Sequence, residues 1–469
     1  MMRNIAVNFF YQAMYQVTLI ILPIITIPIV SRALGPDGIG TWNYIQSIMN
    51  YFLLLAGLGL ANYGVREVAV VKKDKNKLSQ TFWELELFNL FFSSLTLIVY
   101  LIVSLFFANS NLYLVQSLIL IGAMFDISWF FAGMEDFKKV TLSGILVKII
   151  CFILILFFIK DSNDLILYVF IQSLSVLLSQ ALLWVFVFKY ITFVKVSFLQ
   201  VKKHFLPALR FFISKIAMTI YLNLNKTLLG LFTTMTLVGY YSNALTLVTL
   251  SGSLITALNT VLIPRMSSTF AKGDEPKLID QLEKSLHFQL FLTIPICFGI
   301  ILVSPKLVPW FFGEEFLSIT SLVPLLAPVV IVQALQSGIA AQYLIPKNDM
   351  KSYNLTVILG AVISFICNIV FIPVVGVYGA VIATIAGQGS LCLIRVYVLK
   401  RDTSFKFNVK LIIIYFLCSI LMFLVTSYIT ADLSSKLLTT IIQIVIGFTI
   451  YICLTVVLKA NPIYNYMKK

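Results

Sequence analysis

The sequence places two lysines inside an apolar stretch that is long enough to be a membrane helix. Lys215 and Lys226 lie in SKIAMTIYLNLNKTLLG, residues 214–230. Their separation is close to three helical turns, so both lie on one helix face, with Thr219 on that face and Asn223 beside it. A lysine at the bilayer centre costs roughly 2.5–3.5 kcal/mol on insertion scales. This face is therefore predicted to line a cavity where the lysines meet water or bind an anion.

Each of these lysines also has a simpler interpretation. The helix is predicted over residues 208–232, so Lys226 lies about six residues from one end and Lys215 about seven from the other. The flexible stem of a lysine can extend along a helix and put the ammonium group among lipid headgroups. The sequence leaves both interpretations open.

A second pair of opposite charges lies in two consecutive apolar segments. Asp126 and Lys148 are each about 12–14 Å from the predicted inner boundary, at 1.5 Å per residue. One interpretation is an ion pair that neutralises both charges between adjacent helices. The other is functional: Asp126 binds a proton or a sodium ion, and Lys148 is a further contact for the anion.

Amide and phenol side chains recur on the first two apolar segments. On the first segment their helical angles fall within an arc of about 140°. Such groups suit the hydroxyls and rings of sugars, and they equally form hydrogen bonds between membrane helices. The residues are Asn8, Tyr11, Gln12, Tyr15 and Gln16 on the first segment and Asn43, Gln46 and Asn50 on the second.

The elements that carry these residues are membrane helices. The chain has 469 residues, of which 60% are hydrophobic and 11% charged, with a mean hydropathy of +0.99. Soluble domains are near half apolar and a quarter charged, whereas apolar runs of this length cross a bilayer as helices. We predict an all-α polytopic membrane protein with about fourteen transmembrane helices. They lie near 7–31, 42–65, 81–107, 112–134, 140–159, 165–188, 208–232, 238–264, 286–305, 316–345, 353–374, 377–399, 411–430 and 438–458.

The basic residues predict how these helices are oriented. Most of the 34 Lys and Arg residues fall in every second connection, whereas Arg32, Lys160, Lys306 and Lys436 fall in the others. The positive-inside rule then places both termini in the cytoplasm. The net charge of +15 comes mostly from Lys and Arg residues in the connections between helices, at the edges of the membrane. We therefore expect contact with membrane lipids and no nucleic-acid partner.

Two short alignments indicate that the chain contains two related halves. Gly40 aligns with Gly239, and Asp136 in FAGMEDFKKV aligns with Asp349 in LIPKNDMKSY; chance similarity of apolar segments is the alternative. The predicted organisation is two six-helix lobes with a cavity between them, plus two extra C-terminal helices. The boundaries are 1–188 for the N-terminal lobe, 189–207 for a cytoplasmic linker, 208–399 for the C-terminal lobe and 400–469 for helices 13 and 14 with the cytoplasmic tail.

The sequence offers little for a metal, a cofactor or a catalytic centre. Its six cysteines form no CxxC pair, and His204 and His287 are its two histidines. No GxxxxGK[ST] loop occurs, so ATP is not expected as the direct driver. We predict no cofactor, no metal site, no catalytic residue and inert free thiols.

Four glycine-containing stretches, spread along the chain, carry a family resemblance. They are SRALGPDGIGTWNYIQ (31–46), GLGLANYGVREVA (57–69), LNKTLLGLFTTMTLVGYYSNA (224–244) and VVGVYGAVIATIAGQ (374–388). Together they resemble the polysaccharide repeat-unit flippases of the multidrug/oligosaccharidyl-lipid/polysaccharide exporter superfamily. The resemblance covers essentially the whole chain and is more specific to the superfamily than to any substrate.

The resemblance implies a function for the residues above. It implies that undecaprenyl-pyrophosphate-linked oligosaccharide is flipped across the plasma membrane by alternating access, for surface polysaccharide assembly. Cavity cations are then expected to hold the pyrophosphate, with Lys215 as the first candidate and Asp126 as the candidate for ion coupling. Charges near span ends are candidate gating residues or simple topology signals; these are Arg32, Arg66 and Arg395, with the acidic Glu84 and Glu86.

The resemblance also sets the expected partners and the alternatives. A monomer is expected, working on a lipid-linked oligosaccharide among membrane lipids and with polysaccharide assembly proteins. One alternative is an ion-coupled drug exporter of the same superfamily, although paired cations favour an anionic substrate. The other is an integral-membrane polysaccharide ligase or polymerase, which the short outer connections and the lack of paired surface carboxylates disfavour.

Overall fold

The computed structural model of the chain is helical throughout, and residues 2–467 contain no β-strand. The structure describes these residues except for the side chains of residues 2–10, 12, 13, 213, 214, 253, 254, 256, 257, 260 and 465–467. The predicted class, an all-α polytopic membrane protein, is confirmed. The chain divides into two compact units, Met1–Asn223 and Leu224–Lys469.

Within the described residues, the first unit is built from nine helices and the first part of a tenth. The helices are α1 (Met2–Gly57), α2 (Leu60–Val71), α3 (Lys75–Ser104), α4 (Ser110–Gln116), α5 (Leu118–Met124), α6 (Ser128–Gly133), α7 (Phe137–Phe158), α8 (Leu165–Val187), α9 (Phe198–Lys202) and α10 (Phe205–Phe232). The boundary between the units falls inside α10. The predicted lobe and linker boundaries remain predictions.

The second unit continues with nine helices in the part of the chain that the structure describes. They are α11 (Met235–Ala271), α12 (Glu275–Phe311), α13 (Ile319–Leu326), α14 (Val329–Ile339), α15 (Met350–Val375), α16 (Val377–Asp402), α17 (Val409–Ile429), α18 (Leu437–Val457) and α19 (Pro462–Met467). A π-helical turn, Ala340–Leu344, follows α14.

The predicted count of fourteen spans is not confirmed. Within the described residues, eleven helical segments are long and apolar enough to cross a membrane, or twelve if the bent pair Phe198–Phe212 and Lys215–Phe232 is one span. The first of the eleven, Met14–Val71, contains the first two predicted spans. These two meet at a kink where Gly35 has φ 65°, a backbone angle that glycine adopts without a steric penalty.

The predicted repeat is matched by two turns with the same local backbone. Glu135 and Asn348 have left-handed φ values of 59° and 58°. The amides of Asp136 and Asp349 each donate to the carbonyl five residues earlier, both at 2.9 Å. Each aspartate then precedes a long helix, α7 or α15. In the second turn the backbone amide of Ser352 donates to the carboxylate of Asp349 at 3.0 Å, which holds the pKa of Asp349 below its usual range.

An aromatic cluster fixes α2, α3, α6 and α8 around the inner part of the first unit. The fully buried ring of Phe82 stacks on Trp129 at 5.7 Å and meets the edge of Phe130 at 5.2 Å. A Cβ atom at Gly64 would lie 2.8 Å from the Trp129 ring, so this glycine lets α2 approach α6. The cluster sets the position of α3 and of the break between α5 and α6.

Gly59 sets the approach of α10 to the start of α2. It has φ 80°, and a Cβ atom there would lie 2.4 Å from the carbonyl oxygen of Ala208 and 2.7 Å from the nitrogen of Phe212. Gly57, two residues earlier, has no atom within 4 Å of such a Cβ. The two glycines therefore have different roles in packing.

We therefore predict different outcomes for Gly59→Ala and Gly57→Ala. Gly59→Ala adds the backbone penalty of a left-handed residue, about 1–2 kcal/mol, and a clash with backbone atoms of α10. It should lower the apparent melting temperature in detergent markedly, whereas Gly57→Ala should leave it near the native value. Equal melting temperatures for the two variants would contradict the close packing at Gly59.

Candidate functional site

A cavity of about 360 Å³ lies within the first unit, between the end of α1, the start of α2 and the middle of α10. It contains a cation and three polar side chains among apolar neighbours, which is a composition typical of ligand sites. Its lining residues are Asn50, Leu53, Leu54, Gly57, Gly59, Ala61, Lys215, Thr219, Leu222 and Asn223. The structure thus brings four of the predicted site residues together: Lys215, Thr219, Asn223 and Asn50.

The helical spacing of α10 explains why these side chains meet. Lys215, Thr219 and Asn223 follow each other at intervals of four residues, so they form one row on the helix. The Lys215 side chain is half-buried. Among the residues that the structure describes, none forms an ion pair with it. Lys215 therefore presents its charge to the cavity without a direct carboxylate partner.

A chain of side-chain hydrogen bonds supports one wall of the cavity. Asn50 donates to Asn223 at 2.8 Å, and Gln46 donates to Asn50 at 3.2 Å. Gln116 donates to Gln46 at 3.1 Å, and Tyr100 donates to Gln116 at 3.1 Å. The chain connects α10, α1, α4 and α3. Asn50 lines the cavity, whereas Gln46 is not among its lining residues, and both form hydrogen bonds between helices.

The sequence analysis missed Tyr100 and Gln116. Both are almost fully buried, at 1% and 0% exposure. The sequence did contain a signal for Gln116, because it is a glutamine inside the apolar run that contains α4 and α5. A buried amide in lipid needs a hydrogen-bonding partner. Which helix supplies that partner is a property of the fold.

Asp126 lies where the fourth predicted span is broken. The α5 helix ends at Met124 and α6 begins at Ser128. The carboxylate of Asp126 accepts from the Ser128 amide at 2.9 Å, and its carbonyl accepts from the Trp129 indole at 2.8 Å. Side chains thus satisfy backbone groups that the broken helix leaves open, as is required at membrane depth.

Asp126 is paired differently from the predicted ion pair. No ion pair with Lys148 occurs in the part of the chain that the structure describes, and the cation within electrostatic range of Asp126 is Lys215. The count of residues along each helix put Asp126 and Lys148 at similar depth, but depth does not determine which way a side chain faces. Lys148 is half-buried on α7 and does not line the cavity.

The two acidic residues of α3, which the sequence places near a span end, lie inside the protein rather than on its surface. Glu84 and Glu86 are 1% and 0% exposed. Glu84 accepts from Lys203 at 2.7 Å, from His204 Nε2 at 2.9 Å and from Gln80 at 2.9 Å. The other nitrogen of His204 is bonded to the Tyr63 hydroxyl at 2.7 Å. This network ties the segment before α10 to α2 and α3.

The remaining candidates are not among the residues that line the cavity. Lys226 is half-buried in the second unit, and Gln16 is exposed on α1. The side chain of Gln12 lies outside the described residues. Arg32 is exposed, and Arg66 is exposed and bonded to Glu67 at 2.7 Å.

Arg395 is buried in the second unit, at 4% exposure. It donates to the carbonyl of Gln336 at 2.8 Å and to the hydroxyl of Thr356 at 3.2 Å. Its guanidinium lies 5.0 Å from the ring centre of Tyr353. These contacts join α14, α15 and α16, so Arg395 has a packing role in this conformation; gating by Arg395 stays a prediction.

The second unit contains a separate cluster of neutral polar groups. Asn225 donates to Tyr241 at 3.0 Å and to Thr384 at 2.7 Å, and it accepts from Ser364 at 3.0 Å and from Asn368 at 2.6 Å. All five side chains are buried. The cluster is held by hydrogen bonds among its members and carries no formal charge.

In the described residues, no group of three or more His, Cys, Asp or Glu side chains is placed to hold a metal ion. The six cysteines are free, and four of them are buried; Cys367 is partly exposed and Cys453 is exposed, unlike the buried thiols expected from the sequence.

A family model and several curated relatives match this chain. The model described as "Polysaccharide biosynthesis protein" matches residues 5–270. A putative O-antigen transporter of Escherichia coli is 23% identical over 393 residues, which cover 82% of this chain and 94% of the relative. The lipid II flippase MurJ of Bacillus subtilis is 28% identical over 166 residues, or 35% of this chain and 30% of the relative.

Solved structures establish the fold. A lipid II flippase MurJ in an inward closed conformation has a TM-score of 0.77 and 18% identity, and the match covers 97% of this chain and 99% of that one. An inward-facing multidrug resistance MATE family transporter of the MOP superfamily has a TM-score of 0.63 and 15% identity, over 82% of this chain and 94% of that one. The resemblance noted in the sequence is confirmed.

The cavity predicts selective reactivity of engineered cysteines. Thr219→Cys should be labelled by a water-soluble maleimide at least about tenfold faster than Ser93→Cys, because thiol reactivity requires access to water and ionisation. Ser93 is fully buried and its replacement is nearly isosteric. The labelling rate is measured on purified protein, after subtraction of the background from the exposed Cys453. Equal rates at the two positions would show that water does not reach the cavity.

Proposed function

The chain belongs to the polysaccharide biosynthesis protein family, and from this premise we propose that it flips undecaprenyl-pyrophosphate-linked oligosaccharide from the cytoplasmic to the outer face of the plasma membrane. Surface polysaccharide assembly would consume the flipped product. The relatives named above support this proposal, because they are a putative O-antigen transporter and a lipid II flippase. They are transporters rather than enzymes, which argues against the ligase and polymerase alternatives.

The observation that carries the proposal is the position of Lys215 in the cavity of the first unit. The lysine charge faces a space with polar and apolar walls and has no ion-pair partner among the described residues. A diphosphate brings negative charge and several acceptor oxygens, and a mobile ammonium group suits such a ligand. The energetic cost of a lysine inside a membrane helix is then offset by the bound anion.

The neighbouring polar groups have a supporting role in this proposal. Asn50 and Asn223 are held by their mutual hydrogen bond, and the Asn223 amide also donates to the Thr219 carbonyl at 2.8 Å. Fixed amides beside a mobile lysine are suited to orient phosphate or sugar oxygens. Lys148, Lys226 and Gln16 are not among the lining residues, so the proposal is confined to the cavity.

Transport would follow alternating access, with loading at the cytoplasmic face and release at the outer face. Both termini would be cytoplasmic. Asp126 is the candidate for coupling to an ion gradient, because it is a carboxylate at a helix break within electrostatic range of Lys215. Coupling by this residue predicts that Asp126→Asn transports at a rate that no longer depends on the gradient.

The charge of Lys215 is tested by measuring transport of a fluorescent undecaprenyl-pyrophosphate oligosaccharide in proteoliposomes. Lys215→Gln should lower the flipping rate roughly tenfold to a hundredfold, because a hydrogen bond to a charged group contributes about 1.5–3 kcal/mol. Lys215→Arg keeps the charge and should retain most of the rate.

Lys189→Gln is the matched control, since it removes an exposed cation outside the cavity; it should transport at the native rate. Native flipping that survives Lys215→Gln would overturn the role of Lys215. Absence of flipping by folded native protein would instead overturn the proposed substrate.

A further inference from the structure

Glu86 is a buried carboxyl group without hydrogen-bonding partners. It is 0% exposed, and neither of its oxygens has a donor among the residues that the structure describes. At 1.5 Å per residue it lies about 5 Å from the midpoint of α3, a helix that is long and apolar enough to cross a membrane. Glu84, two residues earlier and equally buried, has three donors.

The two glutamates must therefore differ in charge. An ionised carboxylate buried without donors or a counter-charge costs many kcal/mol, whereas a neutral carboxylic acid is tolerated. Glu84 has Lys203 and the imidazole of His204 to stabilise an ionised form. Glu86 has no comparable stabilisation, so its surroundings suit a bound proton.

The face of α3 that carries Glu86 points toward the broken helix. Asn89, one turn further along this face, donates to the carbonyls of Ala123 and Met124 at 2.9 and 3.3 Å. Asp126 follows two residues later, and its charge acts on Glu86. Lys215 acts in turn on Asp126. Lys215 lies about 5 Å from the midpoint of α10, at a depth similar to that of Glu86.

The other ionisable groups on the elements around Glu86 have partners elsewhere. Glu84, Lys203, His204 and Tyr63 form one network, and Arg66 is bonded to Glu67. Near the far end of α3, Tyr100 donates to Gln116. Within the described part of this unit, Asp126 is thus the charge that acts on Glu86, and Lys215 acts on Asp126.

We propose that Glu86 and Asp126 together hold one proton in this conformation, and that they take up a second proton when a diphosphate draws Lys215 into the cavity. Before binding, one ionised carboxylate is balanced by Lys215. After binding, the ammonium group serves the diphosphate, and the proton that neutralises the second carboxylate comes from water in the cavity. The linkage to a diphosphate rests on the proposed function, whereas the resting proton does not.

Electrostatics gives the sign of this linkage. Removing a nearby cation and adding a nearby anion both disfavour an ionised carboxylate, and the effect is strong at low effective dielectric constant. Proton binding and diphosphate binding therefore favour each other. Lys215 is the element that transmits this coupling, since it acts on Asp126 and also lines the cavity.

The resting proton is tested without any ligand. The infrared spectrum of native protein at neutral pH should contain the carbonyl band of a protonated carboxylic acid, shifted by exchange into heavy water. Glu86→Gln, which is nearly isosteric with the protonated acid, should remove this band. Glu84→Gln is the matched control on the same helix and should leave the band unchanged. A band absent from native protein, or retained in Glu86→Gln, would overturn the proposal for the resting proton.

The linkage is tested by calorimetric titration with undecaprenyl pyrophosphate in buffers of different ionisation enthalpy. Native protein should take up about one proton per bound lipid, because Asp126 is neutralised when Lys215 is withdrawn. Glu86→Gln should keep this uptake, and Asp126→Asn should lose it while still binding the lipid. Binding to native protein without proton uptake would overturn the linkage.

The two arms separate this inference from the proposed function. If undecaprenyl pyrophosphate fails to bind folded native protein, the proposed substrate is wrong and the linkage falls with it. The infrared band would still decide whether Glu86 carries a proton. If the lipid binds and the band is absent, the proposed function stands and the carboxyl pair is overturned.

Discussion

The arrangement of the first unit depends on the high cost of charge in a low-dielectric interior. A charged group at membrane depth needs water, a counter-charge or hydrogen-bond donors. Glu84 satisfies this requirement with Lys203, His204 and Gln80. Asp126 receives a backbone amide and the field of Lys215, and Lys215 faces a cavity. These interactions depend on one another, because Lys215 acts on the Asp126 carboxylate and also lines the cavity. One ammonium group cannot neutralise the carboxylate and bind an anion in the cavity at full strength at the same time.

The broken span is what allows a carboxylate to be placed beside the cavity. An unbroken helix satisfies its own backbone and would leave no amide for the Asp126 carboxylate. The break between α5 and α6 exposes such groups, and the Trp129, Trp184 and Asn89 side chains bond the carbonyls around it. The aromatic cluster around Phe82 keeps these donors in position. Stability and site geometry therefore depend on the same packing.

The sequence predicted features that follow from spacing along one helix and missed those that depend on contacts between helices. The row of Lys215, Thr219 and Asn223 is set by helical periodicity, and the turns at Asp136 and Asp349 are set by local sequence, so both could be read from the sequence. The binding role of the row stays a prediction. The pairing of Asp126 with Lys148 was wrong, because depth in the membrane leaves the direction of a side chain undetermined. Glu86 was assigned to a span end, because its burial arises from contacts with other helices and cannot be read from its neighbours in the chain. The separate roles of Gly57 and Gly59 required the position of the α10 backbone.

The two units share a turn but differ in how they handle charge. Acidic side chains occur deep inside helices of the first unit, at Glu84, Glu86 and the break at Asp126. In the described part of the second unit, the buried polar groups of helix interiors are neutral amides and hydroxyls apart from Arg395, which donates to a carbonyl and a hydroxyl and lies against a tyrosine ring. The Asn225 cluster is held by hydrogen bonds among its own members and has no group that changes charge near neutral pH. The carboxyl groups of the first unit and the neutral polar groups of the second therefore make the proposed coupling between a proton and an anion a property of side chains within the first unit.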